Sequence, residues 1–230
     1  MRNTYNYYFG KDEEGNYPAT KAGSCLIVGL AESGKTNLVN GIIANTVKEK
    51  SAFDVKMHYV DCRGVNDRSI AGMSIPHFAD VISNNVYQIK ELLLGLRTEA
   101  MRRLDVCGRN GYRNYVEEAT CGSYYEVLIM EDFLDYAVTF GGDEFMDTVR
   151  YVLDASHKTG VYLILTSHPL PPNWGWLMEK TPILVNTVYG NEKFYADTFV
   201  ARDGNSVGLS TPRYDERTLK YFVDCYTKRK

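Results

Sequence analysis

The sequence predicts an α/β domain with a mainly parallel central sheet and helices on both of its faces. Three observations carry this. Short β-branched runs alternate along the chain with stretches of helical spacing. The runs are almost continuously apolar, as strands covered on both sides require. A glycine-bounded loop sits between the first such run and the first helical stretch. In order, the strands are expected at Ser24 to Val28, Val55 to Val60, Glu126 to Met130, Val161 to Leu165 and Pro182 to Val188. The first helix is expected from Lys35 to Lys48. The second aligns Val86, Ile89, Leu93, Leu96, Ala100 and Leu104 on one stripe, with Asn84 or Asn85 as its cap. A third carries Phe145, Val149, Val152 and Leu153, and a last one, after Pro212, repeats Leu219, Phe222, Val223 and Tyr226. Pro171-Pro172-Asn173 and Asp203-Gly204-Asn205 read as surface turns. No domain boundary or internal repeat interrupts this order, so residues 1–230 are taken as a single domain.

Composition excludes several classes. With 44% hydrophobic and 24% charged residues, a disordered or collagen-like chain is ruled out. A formal charge of -3 excludes a surface coated in positive charge, though not a local basic patch. Cys25, Cys62, Cys107, Cys121 and Cys225 are odd in number and lack metal-ligand spacing, which favours reduced thiols over disulfides or zinc. No run approaches the ~18 apolar residues of a spanning helix, and MRNTYNYYFG lacks the apolar core of a signal peptide. A cytoplasmic location is expected, with any membrane attachment supplied by another domain or partner.

The strongest motif is Gly29-Leu30-Ala31-Glu32-Ser33-Gly34-Lys35-Thr36, which satisfies G-x-x-x-x-G-K-[ST]. Terminal glycines let the loop wrap so that backbone N–H groups face inward, and the helix behind it adds its positive end. Lys35 neutralises the β- and γ-phosphates of a nucleotide in such a loop, and Thr36 offers a hydroxyl to Mg²⁺. With Asn37, these residues form the candidate ATP site. Glu32, an acid in a loop meant for anions, is expected to point to solvent. A ligand-free glycine and serine turn is the competing reading, and the strand before and helix after the loop argue against it.

Val127-Leu128-Ile129-Met130 runs into Glu131-Asp132, a buried strand ending in two acids. One can hold Mg²⁺ and the other can orient or deprotonate water. The spacing leaves the assignment open; the expectation is Glu131 toward the metal, with Thr36, and Asp132 toward the water. Two acids capping the next helix are the alternative.

These features, in this order, resemble the motor domain of the FtsK/SpoIIIE DNA translocases, within the FtsK–HerA group of ring ATPases, from about Tyr8 to Tyr226. Phe9-Gly10-Lys11-Asp12 with Gly15 resembles the family's strand before the nucleotide loop. Asp61-Cys62-Arg63 stands at its Asp-Pro-Lys, and Ile75-Pro76-His77-Phe78 at its Pro-His-Leu. Glu99-Ala100-Met101-Arg102-Arg103 matches its Glu-Met-x-x-Arg. Glu131-Asp132-Phe133-Leu134-Asp135 matches Asp-Glu-Phe-Ala-Asp with the first two acids exchanged, and Gly160 to Thr166 follows its Gly-Ile-His-Leu-Ile-Leu-Ala-Thr strand. The resemblance implies a RecA-like phosphate-loop core, ATP and Mg²⁺ as cofactors, a homo-oligomeric ring, and double-stranded DNA as cargo. It also places Ser167 where the family's sensor glutamine stands, within Thr166-Ser167-His168-Pro169, as a shorter catalytic candidate. His157 and Lys158 stand where the family carries a trans-acting arginine; Arg150 or Arg103 are the substitutes considered. Only 28 residues precede Gly29, so the chain reads as the nucleotide-binding core alone.

Arg97, Arg102, Arg103, Arg109 and Arg113 either contact DNA phosphates or a neighbouring nucleotide, or form a solvated helix face with Glu99 paired to Arg103. The tail Lys228-Arg229-Lys230 reads as solubilising, His58 and His77 as core or turn residues. Trp174 and Trp176 belong to a projecting loop or to subunit packing. The leading expectation is an ATP-hydrolysing motor on DNA. A type VII secretion ATPase domain acting on protein substrates, a small viral genome-packaging ATPase, and a nucleotide-binding scaffold without turnover stay open. A small kinase ranks last for want of an arginine-rich lid.

Overall fold

The computed structural model describes residues 4–64, 70, 73–119, 122–188, 195–202, 205–212, 214 and 216–227. Cys121, the Asp203-Gly204 part of the expected turn and the Lys228-Arg229-Lys230 tail lie outside the described residues.

The strands are β1 (Asn6–Tyr8), β2 (Ala19–Lys21), β3 (Cys25–Gly29), β4 (Val55–Asp61), β5 (Phe78–Ser83), β6 (Tyr125–Glu131), β7 (Val161–Ser167), β8 (Ile183–Val188), β9 (Tyr195–Arg202) and β10 (Asn205–Pro212). Between them run α1 (Lys35–Glu49), α2 (Val86–Asn110), α3 (Tyr115–Glu118), α4 (Phe133–Tyr136), α5 (Gly142–Thr159), α6 (Gly175–Lys180) and the closing α7 (Glu216–Thr227). Among the described residues, one sheet of eight strands has the order β10-β9-β8-β3-β7-β6-β4-β5. The strands from β8 to β5 are parallel, while β9 and β10 join antiparallel at one edge. β1 and β2 pair separately.

The alternation of side chains builds two cores. Cys25 and Ile27 of β3, with Val127 and Ile129 of β6, face α1 and the first aromatic strand. Leu26, Leu128 and Met130 face the opposite way, toward α2 and α5. Each fully buried Leu, Ile or Val contributes about 1.5–3 kcal/mol, so a sheet apolar on both sides is sandwiched between helices. The expected fold class holds.

Helix ends follow their sequence cues. Asn85, rather than Asn84, caps α2 by accepting from Gln88 N at 3.2 Å. α5 stops at Gly160, whose φ of +69° is left-handed, and a Cβ there would run into Val116.

Several elements depart from the expectation. Phe9 to Asp12 is not a strand: the strand lies just before it, and Lys11 makes a single bridge to Ser210. β5 lacks the apolar run of the central strands because it is an edge strand in which Ile82 is the one buried residue. β9 and β10 likewise sit at the periphery, where no continuous apolar run is needed. Trp174 and Trp176 do not project freely: Trp174 meets Phe133 edge-on, and Trp176 lies under Arg150.

Candidate nucleotide-binding site

The strand order turns beside β3: the chain leaves it toward β4 on one side and later reaches β8 on the other. Open α/β sheets place ligands beyond the carboxyl ends of strands at such a point. Here that point holds the loop from Gly29 to Thr36 and a cavity of about 430 Å³.

The loop is shaped for close backbone approach. Gly34 opens α1 at φ 99°, a left-handed conformation that favours glycine. A Cβ on Gly29 would collide with the hydroxyls of Ser33 and Thr187, which lie 2.6 Å from each other. Ser33 is therefore buried and turned toward β8, while Leu30, Ala31 and Glu32 are exposed. Glu32 takes φ 61° and points its acid outward.

Lys35 is buried and bridges the loop, donating to Gly29 O at 2.9 Å and Leu30 O at 2.8 Å. Burial pulls its ammonium below the ordinary lysine range; nearby Arg63 acts in the same direction, and Asp132 and Glu131 oppose it. Thr36 donates its hydroxyl to Glu131 Oε2 at 2.7 Å. Glu131 closes β6 at 1% exposure. Burial pushes its carboxyl up to about 7, held down in part by hydrogen bonds from Thr36 and Tyr59 and raised further by Asp61 and Asp132. Asp132 follows at φ 56°, its N–H donating to Thr166 Oγ1 at 3.0 Å. Asn37 lines the cavity, yet its side-chain amide is bound elsewhere: Nδ2 donates to Pro212 O at 2.9 Å, and Oδ1 accepts from Tyr214 N.

Ser167 is not brought to the cavity. It is fully buried and donates to His168 O at 2.7 Å. Side chains alternate along β7, so Thr166 and His168, one residue to either side, line the cavity instead. Arg63, the other residue missed as part of the site, reaches the same cavity from the loop after β4. The period-2 rule applied at Thr166 would have found the first two; Arg63 is visible in the Asp61-Cys62-Arg63 motif, but its place at this cavity follows from the strand order.

The two arginines considered as substitutes for a trans-acting arginine do not line this chain's own cavity. Arg103 is fully buried on the inner face of α2, donating to Glu99, Tyr124 O and Thr159 O and pairing with Glu126. Arg150 pairs with Asp147 and covers Trp176. His157 and Lys158 are exposed in the last turn of α5.

The cavity fits a metal–nucleotide pair better than a bare anion. Lys35 and Arg63 line it together with the inward acids Glu131 and Asp132, a mixed set of charges that a divalent cation can join to a triphosphate. Among the described residues no three His, Cys, Asp or Glu form a metal cage by themselves. Mg²⁺ suits this arrangement, since it takes one or two protein oxygens and draws other ligands from phosphate and water.

A family model described as FtsK/SpoIIIE matches residues 11–185. The chain belongs to the FtsK/SpoIIIE family. The resemblance read from the phosphate loop, the acidic strand end and the flanking motifs is thus borne out. Among curated FtsK relatives, the DNA translocase FtsK of Halalkalibacterium halodurans is 25% identical over 182 residues, 72% of this chain and 23% of the relative. The chain therefore spans about a quarter or less of such FtsK proteins. In fold it is similar to the cytoplasmic domain of the Thermomonospora curvata type VII secretion ATPase EccC, with a TM-score of 0.77 at 15% identity, covering 96% of this chain and 30% of that one. It is also similar to the pCW3 conjugation coupling protein TcpA, in its monomer form with ATPγS, with a TM-score of 0.75 at 13% identity, over 100% and 72%. As an FtsK/SpoIIIE phosphate-loop domain the chain is of an ATPase type. No helix among the described residues is long and apolar enough to cross a membrane.

Proposed function

We propose that this FtsK/SpoIIIE domain binds and hydrolyses Mg·ATP as the motor unit of a homo-oligomeric cytoplasmic ring that moves double-stranded DNA. The observation that supports the reading most is the 2.7 Å bond from Thr36 to Glu131, which joins the phosphate loop to the acidic strand end. Backbone amides from Gly29 to Asn37 cradle the phosphates, and Lys35 exchanges its loop carbonyls for the terminal phosphates. Thr36 and Glu131 hold the cation, which supplies charge neutralisation at the phosphate oxygens. Asp132, fixed through Thr166, orients the attacking water and takes its proton. Ser167 acts only by setting the carbonyl of His168, as a positioning residue.

DNA as cargo rests on family membership and the FtsK relatives. A second reading, a protein substrate, is favoured by one observation: the arginines of α2 are largely engaged within the chain. Arg102 and Arg103 bind Glu99 at 2.7 Å, and Arg109 binds Asp105 at 2.5 Å. The test is ATP turnover by the purified protein with Mg²⁺, with and without linear duplex DNA. Turnover stimulated several-fold by duplex is expected. ATP binding with a rate indifferent to duplex would sink the DNA motor and leave the protein-cargo reading standing.

A further inference from the structure

Arg63 is borne by the loop after β4, and β4 lies three strands from β3, about 14 Å at the usual strand spacing. Its guanidinium does not stay above its own strand. Nε reaches Asp132 Oδ2 at 3.1 Å, beyond the end of β6. Nη2 reaches Asp135 Oδ2 at 2.6 Å in α4, and His168 Nε2 at 3.0 Å, just past β7. β7 pairs directly with β3, Val28 standing opposite Ser167. The side chain therefore runs back across the strand tips until its charge lies one strand from the phosphate loop. None of these three contacts uses Nη1. The backbone behind it is anchored as well, since Arg63 N donates to Asp61 Oδ1 at 3.0 Å.

A terminal phosphate gripped by Lys35 and facing Asp132 lies between the loop and the tips of β6 and β7. We propose that Arg63 is this site's own residue for reading the terminal phosphate: held in place by Asp132, Asp135 and His168, it donates to that phosphate through Nη1. It thereby supplies within one subunit a positive charge at a cavity that Arg63 lines and that Arg103 and Arg150 do not. Arginine suits the task because its planar fork bonds a carboxylate and a phosphate together. Nucleoside triphosphate and diphosphate are then told apart inside each subunit. The inference rests on the Mg·ATP reading of the site.

The test is fluorescence titration of the full chain with Mg²⁺ and two N-methylanthraniloyl nucleotides, ADP and the β,γ-imido analogue of ATP. Arg63→Ala and Arg63→Lys are compared with the parent, and folding is verified by thermal unfolding. Arg63→Ala is expected to weaken the imido analogue about 10- to 100-fold, as loss of a charged hydrogen bond does. ADP affinity should stay within about 3-fold, and Arg63→Lys should recover part of the loss. If Arg63→Ala leaves both affinities unchanged, or lowers both alike, the Arg63 assignment falls while the nucleotide site stands. If the parent binds neither nucleotide, the Mg·ATP reading falls, and the assignment with it.

Discussion

Replacing Glu131 with Gln should stabilise the folded protein in a pH-dependent way. The carboxyl is almost completely buried, and its pKa rises from the ordinary 4.5 to about 7. Between those two values the folded state holds a proton that the unfolded chain has released. Stability therefore falls as pH rises across the window, is fully lost to this group above about pH 7, and is unaffected below about 4.5. At 1.36 kcal/mol for each tenfold step, the ionised carboxylate costs the fold about 3 kcal/mol at pH 8. Gln removes that cost while its Oε1 still accepts from Thr36. For a chain of this size, 1 kcal/mol moves the melting temperature by about 2–4 °C, so the variant should melt about 6–12 °C higher at pH 8. Near pH 4.5 the gap should close. Circular dichroism melts of both proteins from pH 4.5 to 8.5, without nucleotide, measure it. A gap of the same size at both ends of that range, or a variant less stable at pH 8, would refute the buried-carboxylate argument.

Three further outcomes are expected. Arg103→Ala leaves Glu126 buried with one cation fewer and should cost about 3–5 kcal/mol, read as a loss of urea stability at pH 7. Gly29→Ala places a methyl against Ser33 and Thr187; equilibrium binding should show ATP affinity falling about 10- to 100-fold, the loss of one hydrogen bond to a charged group. Ser167→Ala, by contrast, removes only a hydrogen bond to His168 O, so it should cost about 1 kcal/mol in stability and leave ATP affinity within about 3-fold. A large loss of ATP binding in that variant would return Ser167 to the cavity.

What the sequence revealed, and what it hid, follows from burial. β3, β4, β6 and β7 are covered on both faces, and their apolar runs are unmistakable. β5 needs only Ile82 inside, and β9 and β10 are appended at an edge, so no run marks them. The phosphate loop is legible because its chemistry is local: eight consecutive residues carry the whole motif. Glu131 and Thr36 are 95 positions apart, yet each could be named because one ends an apolar strand and the other completes the loop. Arg63 and His168 are 105 positions apart, each within a motif of its own, and nothing in either motif points to the other. Their meeting is set by strand order, which composition and periodicity do not encode. The misplacement of Ser167 has a different origin. It followed an alignment of motifs, whereas the alternation of β7 sends its hydroxyl away from the cavity.

The bonds that Asn37 makes to Pro212 and Tyr214 have a practical corollary. One residue beyond the threonine of the phosphate loop, the helix is stapled to backbone laid down some 175 positions later. Tyr214 adds its ring, which rests where a side chain on Gly41 would stand. Shortening the protein behind β10, or fusing a bulky tag close to it, is thus no neutral trim: it loosens the very turn that presents Lys35 and Thr36.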